Sequence, residues 1–432
     1  MSARESIQNE SLNVSLIIIG DEILSGKTLD KNASWLSQFL FKEGLVLKSM
    51  RFIKDQVLDI EKALSDSLHE SDIVITSGGV GPTIDDKTKS TLAHYFSKKI
   101  IERSDVVSVI TQNYSRFNRT WTPETNQYHL FPEDFFAINN PLGFAPGLGF
   151  TTKEGKLLLS APGVPKEFSE MVTLEFLPII KKQFSNRIKE NHQTIIRTQG
   201  VPEEKIFFEL CPTLWSELEA FGSVSSLPHT LGIDIVVSYK GGIKTHEEKN
   251  KEIKNIITAS KLLPYVWQWG NLPINQLVLD LARSKNITFG FAESCTGGLT
   301  ASKITDLSGS SCAFWGSIVT YDNSVKEQIL EVKTETLNKF GAVSIEVACE
   351  MAIGARLKLK TDYAISITGI AGPDGGSSDK PVGLVAIGFS SKKNSGAKIY
   401  QFIGDRLRLK DRFSDKALLT LYELLKEAQL ET

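Results

Sequence analysis

The stretch Ala292-Glu293-Ser294-Cys295-Thr296-Gly297-Gly298 sets a serine between an apolar run, 287–292, and a helix-like run, 299–304. A hydroxyl at such a turn sits where helix N-terminal N–H groups can hold an oxyanion or a phosphate. The small residues around it let a substrate approach the backbone. Ser294 is therefore a candidate nucleophile. From the heptamer alone the commoner outcome is that Ser294 or Thr296 merely caps the helix. Cys295 is a rival nucleophile, since a helix N-terminus lowers a thiol pKa, although a buried structural thiol is the more frequent case.

A nucleophile needs a base. No histidine lies in residues 271–432, which excludes a Ser-His-Asp triad within that region. A lysine serves if burial or nearby positive charge lowers its pKa. Lys326, after the turn at Tyr321, is the best placed; a solvated surface lysine is its ordinary alternative. Tyr321 can orient Lys326 or donate a hydrogen bond, or simply pack in the core. Arg406 can grip a phosphate in fork geometry, or form a surface ion pair.

A second chemical stretch is Ser77-Gly78-Gly79-Val80-Gly81-Pro82-Thr83-Ile84-Asp85-Asp86. Converging glycine N–H groups can cradle a phosphate, and the paired carboxylates can hold a hard divalent cation against it. The spacing matches neither a Walker A loop nor a Rossmann fingerprint. A solvated turn with Asp85 or Asp86 capping the next helix fits equally well.

The elements that must carry these residues alternate. Strand-like runs at 14–19 and 73–76 flank helical stripes containing Trp35, Leu36, Phe39 and Leu40, then Ile60, Leu64 and Leu68. Alternation of this kind implies a parallel sheet with ligands at the carboxyl ends of its strands. Residues 168–184 read as a helix interrupted near Pro178. A small α+β module follows, with a strand at 233–237 and a charged helix at 244–261. Beyond it, 274–281 is a helical stripe, 314–321 and 362–367 are strand-like, and 383–389 with 397–403 form a hairpin. Gly341-Ala342-Val343-Ser344 caps a helix, and a last helix carries Phe413, Ala417, Leu421 and Leu425. The whole is α/β, with expected domains at 12–175, 176–265 and 271–432.

At 432 residues, 41 % apolar and 23 % charged, with net charge −2, the composition is that of a soluble globular protein. Nothing in it calls for nucleic acid or an anionic membrane. Four scattered cysteines point to a reducing compartment, and no apolar run approaches a spanning length, so a cytoplasmic location is expected.

Residues 14–96 resemble the molybdopterin-binding fold of the MogA/MoaB type through Gly20-Asp21-Glu22, Asn32 and the Gly-Gly-x-Gly loop before Asp85-Asp86. The fuller string through Asp86 is similar to the N-terminal half of CinA proteins. So are Asn140-Pro141-Leu142-Gly143-Phe144-Ala145-Pro146-Gly147 and Ala161-Pro162-Gly163-Val164-Pro165. Four further motifs resemble the C-terminal CinA, or PncC, domain: the Ser294 heptamer, Val319-Thr320-Tyr321-x-Asn323-x-x-Lys326, Gly341-Ala342-Val343-Ser344, and Thr368-Gly369-Ile370-Ala371-Gly372-Pro373.

The resemblance implies an N-terminal MogA/MoaB-like parallel-sheet domain, a KH-like linker module and a C-terminal α/β domain. It implies deamidation of nicotinamide mononucleotide with Ser294 as nucleophile, Lys326 as base and Tyr321 beside it. Thr296 and Gly297 would contact substrate, Thr368 and Gly369 would line the amide pocket, and Asn323 and Arg406 would meet the ribose phosphate. No cofactor is implied for this half. Asp322 and Ser324 depart from the family pattern next to Lys326. For the other half it implies metal-dependent hydrolysis of ADP-ribose. Gly78, Gly79, Gly81 and Thr83 would form the phosphate loop, and Asp85, Asp86 and Asp21 would hold magnesium or cobalt. A homodimer is expected. The rival expectation is a non-catalytic, nucleotide-binding competence or damage-inducible protein.

Overall fold

The computed structural model describes residues 12–82 and 86–428. Its contacts divide into two compact units, 1–193 with 238–251, and 194–237 with 252–432.

The first unit holds a six-stranded sheet. Its strands are β1 (Asn13–Ile19), β2 (Val46–Ile53), β3 (Ile73–Ser77), β4 (Phe136–Ile138), β5 (Gly147–Thr151) and β6 (Leu157–Ala161), in the order β2-β1-β3-β6-β5-β4. The first four in that order are parallel, and β5 and β4 add antiparallel at one side. This pair departs from the expected parallel arrangement for a simple reason. The chain returns from β5 to β6 through a short turn, where Thr152 N–H donates to Lys156 O, and so tight a return permits only antiparallel pairing. Alternate residues of β1 enter opposite cores: Leu16 and Ile18 join one cluster, Ile17 and Ile19 the other. Helices cover both faces, so the strand reads as a continuous apolar run. Helix α1 (Asn32–Lys42) begins where the Asp30 carboxylate accepts the N–H groups of Asn32 and Ala33. Helices α2 (Val57–Glu70) and α3 (Thr88–Tyr95) follow. The helical stretch 165–184 is interrupted by a π-helical turn, Val172–Phe176, ahead of Pro178. A wider turn there accommodates a residue that has no N–H to donate.

Strands β7 (Asn191–Thr198), β8 (Ser223–Pro228), β9 (Ile233–Lys240) and β10 (Val266–Trp269) form a four-stranded sheet in the order β8-β9-β7-β10. The charged helix spans Ile243–Ala259 and buries Ile253 and Ile257.

In the second unit, β11 (Phe289–Glu293), β12 (Phe314–Val319), β13 (Tyr363–Gly369), β14 (Leu384–Ser391) and β15 (Ser395–Gln401) run in the order β12-β11-β13-β14-β15. The first three are parallel, and β13-β14-β15 is an antiparallel meander that contains the expected hairpin. Helices α4 (Ile274–Ser284), α5 (Leu299–Thr305), α6 (Asn323–Leu330), α7 (Ile345–Leu359) and α8 (Arg406–Glu427) are among those that accompany this sheet. Phe289 and Phe291 of β11 pack in one cluster with Phe413, Leu421 and Leu425 of α8. Ala292 faces the other way, toward Val347 and Met351 of α7. As the central strand of three parallel ones, β11 delivers residue 294 to the middle of the sheet's carboxyl edge. No helix among the described residues is long and apolar enough to cross a membrane.

Candidate active site

Three strand ends meet at Ser294. Its N–H donates to Ile367 O of β13 at 2.9 Å, and Thr320 N–H, just past β12, donates to Glu293 O at 2.8 Å. Thr320 O in turn accepts Lys326 Nζ at 3.0 Å, and Tyr321 O accepts it at 3.3 Å. The sheet and one turn of chain thus carry the amine to the same edge as the hydroxyl. Lys326 is 1 % exposed, so it is not the solvated lysine that its type alone would suggest. Burial holds its ammonium pKa below the ordinary lysine value, against the raising effects of Asp322 and Cys295. Ser294 is buried, and its Oγ hydrogen-bonds to none of the described residues. Cys295 is also buried, and burial pushes its thiol up to about 12, which keeps it protonated at neutral pH.

The cap on the following helix is neither Ser294 nor Thr296. It is Glu293, fully buried at the end of β11. Its Oε2 accepts Gly298 and Thr300 N–H at 3.0 and 3.1 Å, and its Oε1 accepts Ala301 N–H at 2.9 Å and Ser317 Oγ at 3.0 Å. This overturns one expectation drawn from the heptamer. The N–H groups at the start of α5 are occupied, those of Gly298, Thr300 and Ala301 by this carboxylate and that of Leu299 by Thr296 O, and cannot also hold an oxyanion or phosphate. Gly297 N–H is likewise taken, by Ser294 O. The donors that remain lie on either side. No acceptor among the described residues takes the N–H of Cys295 or Thr296. Ile370 N–H donates to Leu384 O on the β14 side, so strand alternation turns Gly369 N–H toward the β11 side, where Ser294 lies. Gly297 and Gly298 adopt φ of +62° and +94°, a backbone that bends the chain sharply and favours glycine.

The other candidates distribute around this edge. Thr296 is fully buried with its hydroxyl unpartnered, so what it can offer a ligand is its N–H. Thr368 is buried and donates its hydroxyl to Ala342 O at 2.9 Å, which ties β13 to the turn before α7. Asn323 is the exposed first residue of α6, whose cap is Asp322 through Ser324 N–H. Tyr321 contacts Lys326 through its carbonyl, while its exposed hydroxyl accepts Arg406 Nη2 at 3.0 Å. Arg406 also donates to Gly372 O at 2.6 Å. Among the described residues no carboxylate pairs with Arg406, so its charge is available to an anion.

In the first unit the quoted motifs converge at the carboxyl edge of β1, β3 and β6. Buried Asn32 donates to Ser77 Oγ at 2.9 Å and to Gly163 O at 2.8 Å. Gly78 N–H donates to Ala161 O, and Thr88 closes the loop by donating to Gly78 O and Gly79 O. Gly78 has φ of +111°, and a side chain there would strike Ile19 O. Gly81 sits against the Asp86 carboxylate. Thr83 and Asp85 lie outside the described residues, and Asp21 is exposed in the short helical turn after β1.

Sequence reasoning missed Lys89, Tyr128 and Glu167. Lys89 is lowered to about 8, by burial first and against the raising effect of Asp86. The Tyr128 hydroxyl is pushed above its ordinary value by burial and by Tyr114, Asp86 and Glu167. Glu167 accepts Asn140 Nδ2 at 2.7 Å. The polar residue Asn140 within an otherwise apolar and glycine-rich motif was the available signal. Asp86 and Glu167 are hard oxygen donors suited to magnesium or a similar ion. Among the described residues, however, no three His, Cys, Asp or Glu side chains are grouped as a metal site would need.

Two α/β units, each with glycine-rich loops and polar side chains gathered at the carboxyl edge of its sheet, define a two-module α/β protein. Comparison with known proteins is specific. The chain matches the family model "Probable molybdopterin binding domain" over residues 15–182 and "CinA C-terminal domain" over 271–425. It is 35 % identical to a CinA-like protein of Chloroherpeton thalassium, over 95 % of this chain and 98 % of the relative. It is 33 % identical to a putative competence-damage inducible protein of Halothermothrix orenii, over 95 % and 98 %. A crystal structure of competence/damage inducible protein CihA from Agrobacterium tumefaciens aligns at 35 % identity over 37 % of this chain and 98 % of that one, with a TM-score of 0.33. The chain belongs to the CinA family.

Proposed function

We propose that the second unit is a nicotinamide-nucleotide amidase that converts nicotinamide mononucleotide and water to nicotinate mononucleotide and ammonia. The observation that carries this reading is a buried lysine amine, anchored on the carbonyls of Thr320 and Tyr321 at the strand edge that also presents Ser294. Burial favours the neutral amine that a base requires. In the proposed reaction Ser294 Oγ attacks the carboxamide carbon and its proton passes to Lys326 Nζ. The carbonyl oxygen becomes an oxyanion, held by the N–H groups of Gly369 and of Cys295 or Thr296. Collapse of this intermediate breaks the C–N bond, with Lys326 returning the proton so that ammonia leaves. Water, deprotonated by the same amine, then cleaves the acyl-serine ester. Purified protein is expected to release ammonia from the mononucleotide, and Ser294→Ala to abolish release. Turnover retained in Ser294→Ala and lost in Cys295→Ala would move the nucleophile to Cys295.

A second activity, hydrolysis of ADP-ribose by the first unit, is favoured by the loop at Gly78–Gly81 with the half-buried Lys89 nearby. Asp86, with Asp85, would hold a divalent ion, which supplies charge neutralisation at a pyrophosphate. AMP release from ADP-ribose should require added divalent metal. It should also disappear in Asp85→Ala/Asp86→Ala, and release that persists in that variant rejects this site.

A further inference from the structure

Glu293 removes the usual anion-binding device from the Ser294 loop, because its carboxylate already takes the N–H groups of Gly298, Thr300 and Ala301, and Leu299 N–H is taken by Thr296 O. An anionic end of a substrate must therefore be met by side-chain cations. One is Arg406. A second stands one turn further along α8. Lys410 is half-buried and has no hydrogen-bond or ion-pair partner among the described residues, although its neighbour Asp411 pairs with Lys303. Its Nζ lies 3.9 Å from where a side chain on Gly297 would begin, and nothing else comes within 4 Å of that point. The Lys410 charge also reaches Cys295, whose thiol it draws down against the effect of burial. Gly297 thus forms an open floor with a cation above it, three residues from the proposed nucleophile. The i, i+4 spacing puts Arg406 and Lys410 on one face of the same helix.

We infer that Lys410 and Arg406 together form an anion clamp over the Gly297 floor, in which Lys410 takes the phosphate of the mononucleotide and makes the site selective for phosphorylated substrate. The inference rests on the amidase reading and adds a residue to it. The arrangement explains why an unpaired lysine is kept partly buried beside a backbone with no side chain. A lysine ammonium is a compact point charge suited to a phosphate, and the missing Cβ leaves room for one.

The test compares the mononucleotide with nicotinamide riboside, which has the same amide and no phosphate. Lys410→Ala is expected to raise KM for the mononucleotide about 10- to 100-fold, the size of one charge-assisted hydrogen bond. The preference for mononucleotide over riboside, as a ratio of kcat/KM, should fall by a similar factor. Lys410→Arg should restore most of the preference. An unchanged ratio, or equal losses on both substrates, overturns the inference even if the parent enzyme is active. If the parent releases no ammonia from the mononucleotide, the amidase reading has failed instead. Calorimetric titration of the mononucleotide then decides the clamp by itself, with binding weakened in Lys410→Ala for the inference and binding equal to the parent's against it.

Discussion

Replacing Glu293 by glutamine tests whether one buried carboxylate holds the Ser294 loop. The parent carboxylate accepts three N–H groups and the Ser317 hydroxyl. A glutamine in the same rotamer keeps one acceptor oxygen. If that oxygen serves Gly298 and Thr300, its NH2 faces Ala301 N–H donor to donor, whereas Ser317 can rotate to accept. One buried N–H is then left unsatisfied, which costs about 1–3 kcal/mol. The two retained bonds lose their charge assistance, roughly half their strength. Relief from burying a charge without a cation offsets part of this. The net expectation is about 2–3 kcal/mol, confined to the loop and the start of α5. Hydrogen exchange on the full chain reads it directly. A 2 kcal/mol loss accelerates exchange of the 298–301 amides by about 30-fold if they open locally. Ammonia release should fall at the same time through kcat, because Ser294 loses its fixed position. Exchange within threefold of the parent, with kcat intact, would refute the reasoning and reduce Glu293 to a tolerated buried acid.

Further expectations concern single groups. Lys326→Met should lower kcat by about 10²–10⁴-fold, the usual contribution of a general base, and Lys326→Arg should not rescue it, because a guanidinium stays protonated. In the parent, kcat should rise with pH through a value below the ordinary lysine range, since burial depresses that pKa. The same depression means that the unfolded chain binds more protons than the folded one between the two pKa values. Stability should therefore gain from Lys326 as pH rises through that window, and Lys326→Met should flatten this gain in denaturant titrations at several pH values. Gly297→Ala is expected to cost about 1 kcal/mol from its positive φ and to raise KM by crowding the floor under Lys410, measured by unfolding and by ammonia release. In the first unit, Glu70 is lowered to about 2 by hydrogen bonds from Arg51 and Ser49. Its contribution is complete above the ordinary carboxylate value of 4.5 and disappears as pH falls through about 2. Glu70→Gln should remove about 1–2 kcal/mol at pH 7 and less at pH 2, followed by urea unfolding.

Much of the architecture was legible along the chain because it follows from local rules. The β-branched run before Gly20 is a strand with both faces buried, and Asp30 and Ser344 cap the helices they precede. The hairpin at 384–401 and the final helix follow from alternation and helical spacing. The direction of β5 and β4 was less visible, since their short strands carry a weak pattern.

The candidate groups of the proposed amidase reaction were also a sequence matter: a serine between small residues, a region without histidine, and a lysine six residues past Thr320. Their condition was not. Whether Lys326 is solvated or sealed depends on β12 and α6 folding over it, and desolvation is a property of surroundings far apart in the chain. The cap went to Glu293 and not to a hydroxyl, because the carboxylate at the end of a buried strand reaches three N–H groups at once. Lys410, more than a hundred residues from Gly297, came within reach of it only when α8 packed against β11. The chain alone names which atoms can react; packing decides which are charged, which are already bonded, and which remain open to a ligand.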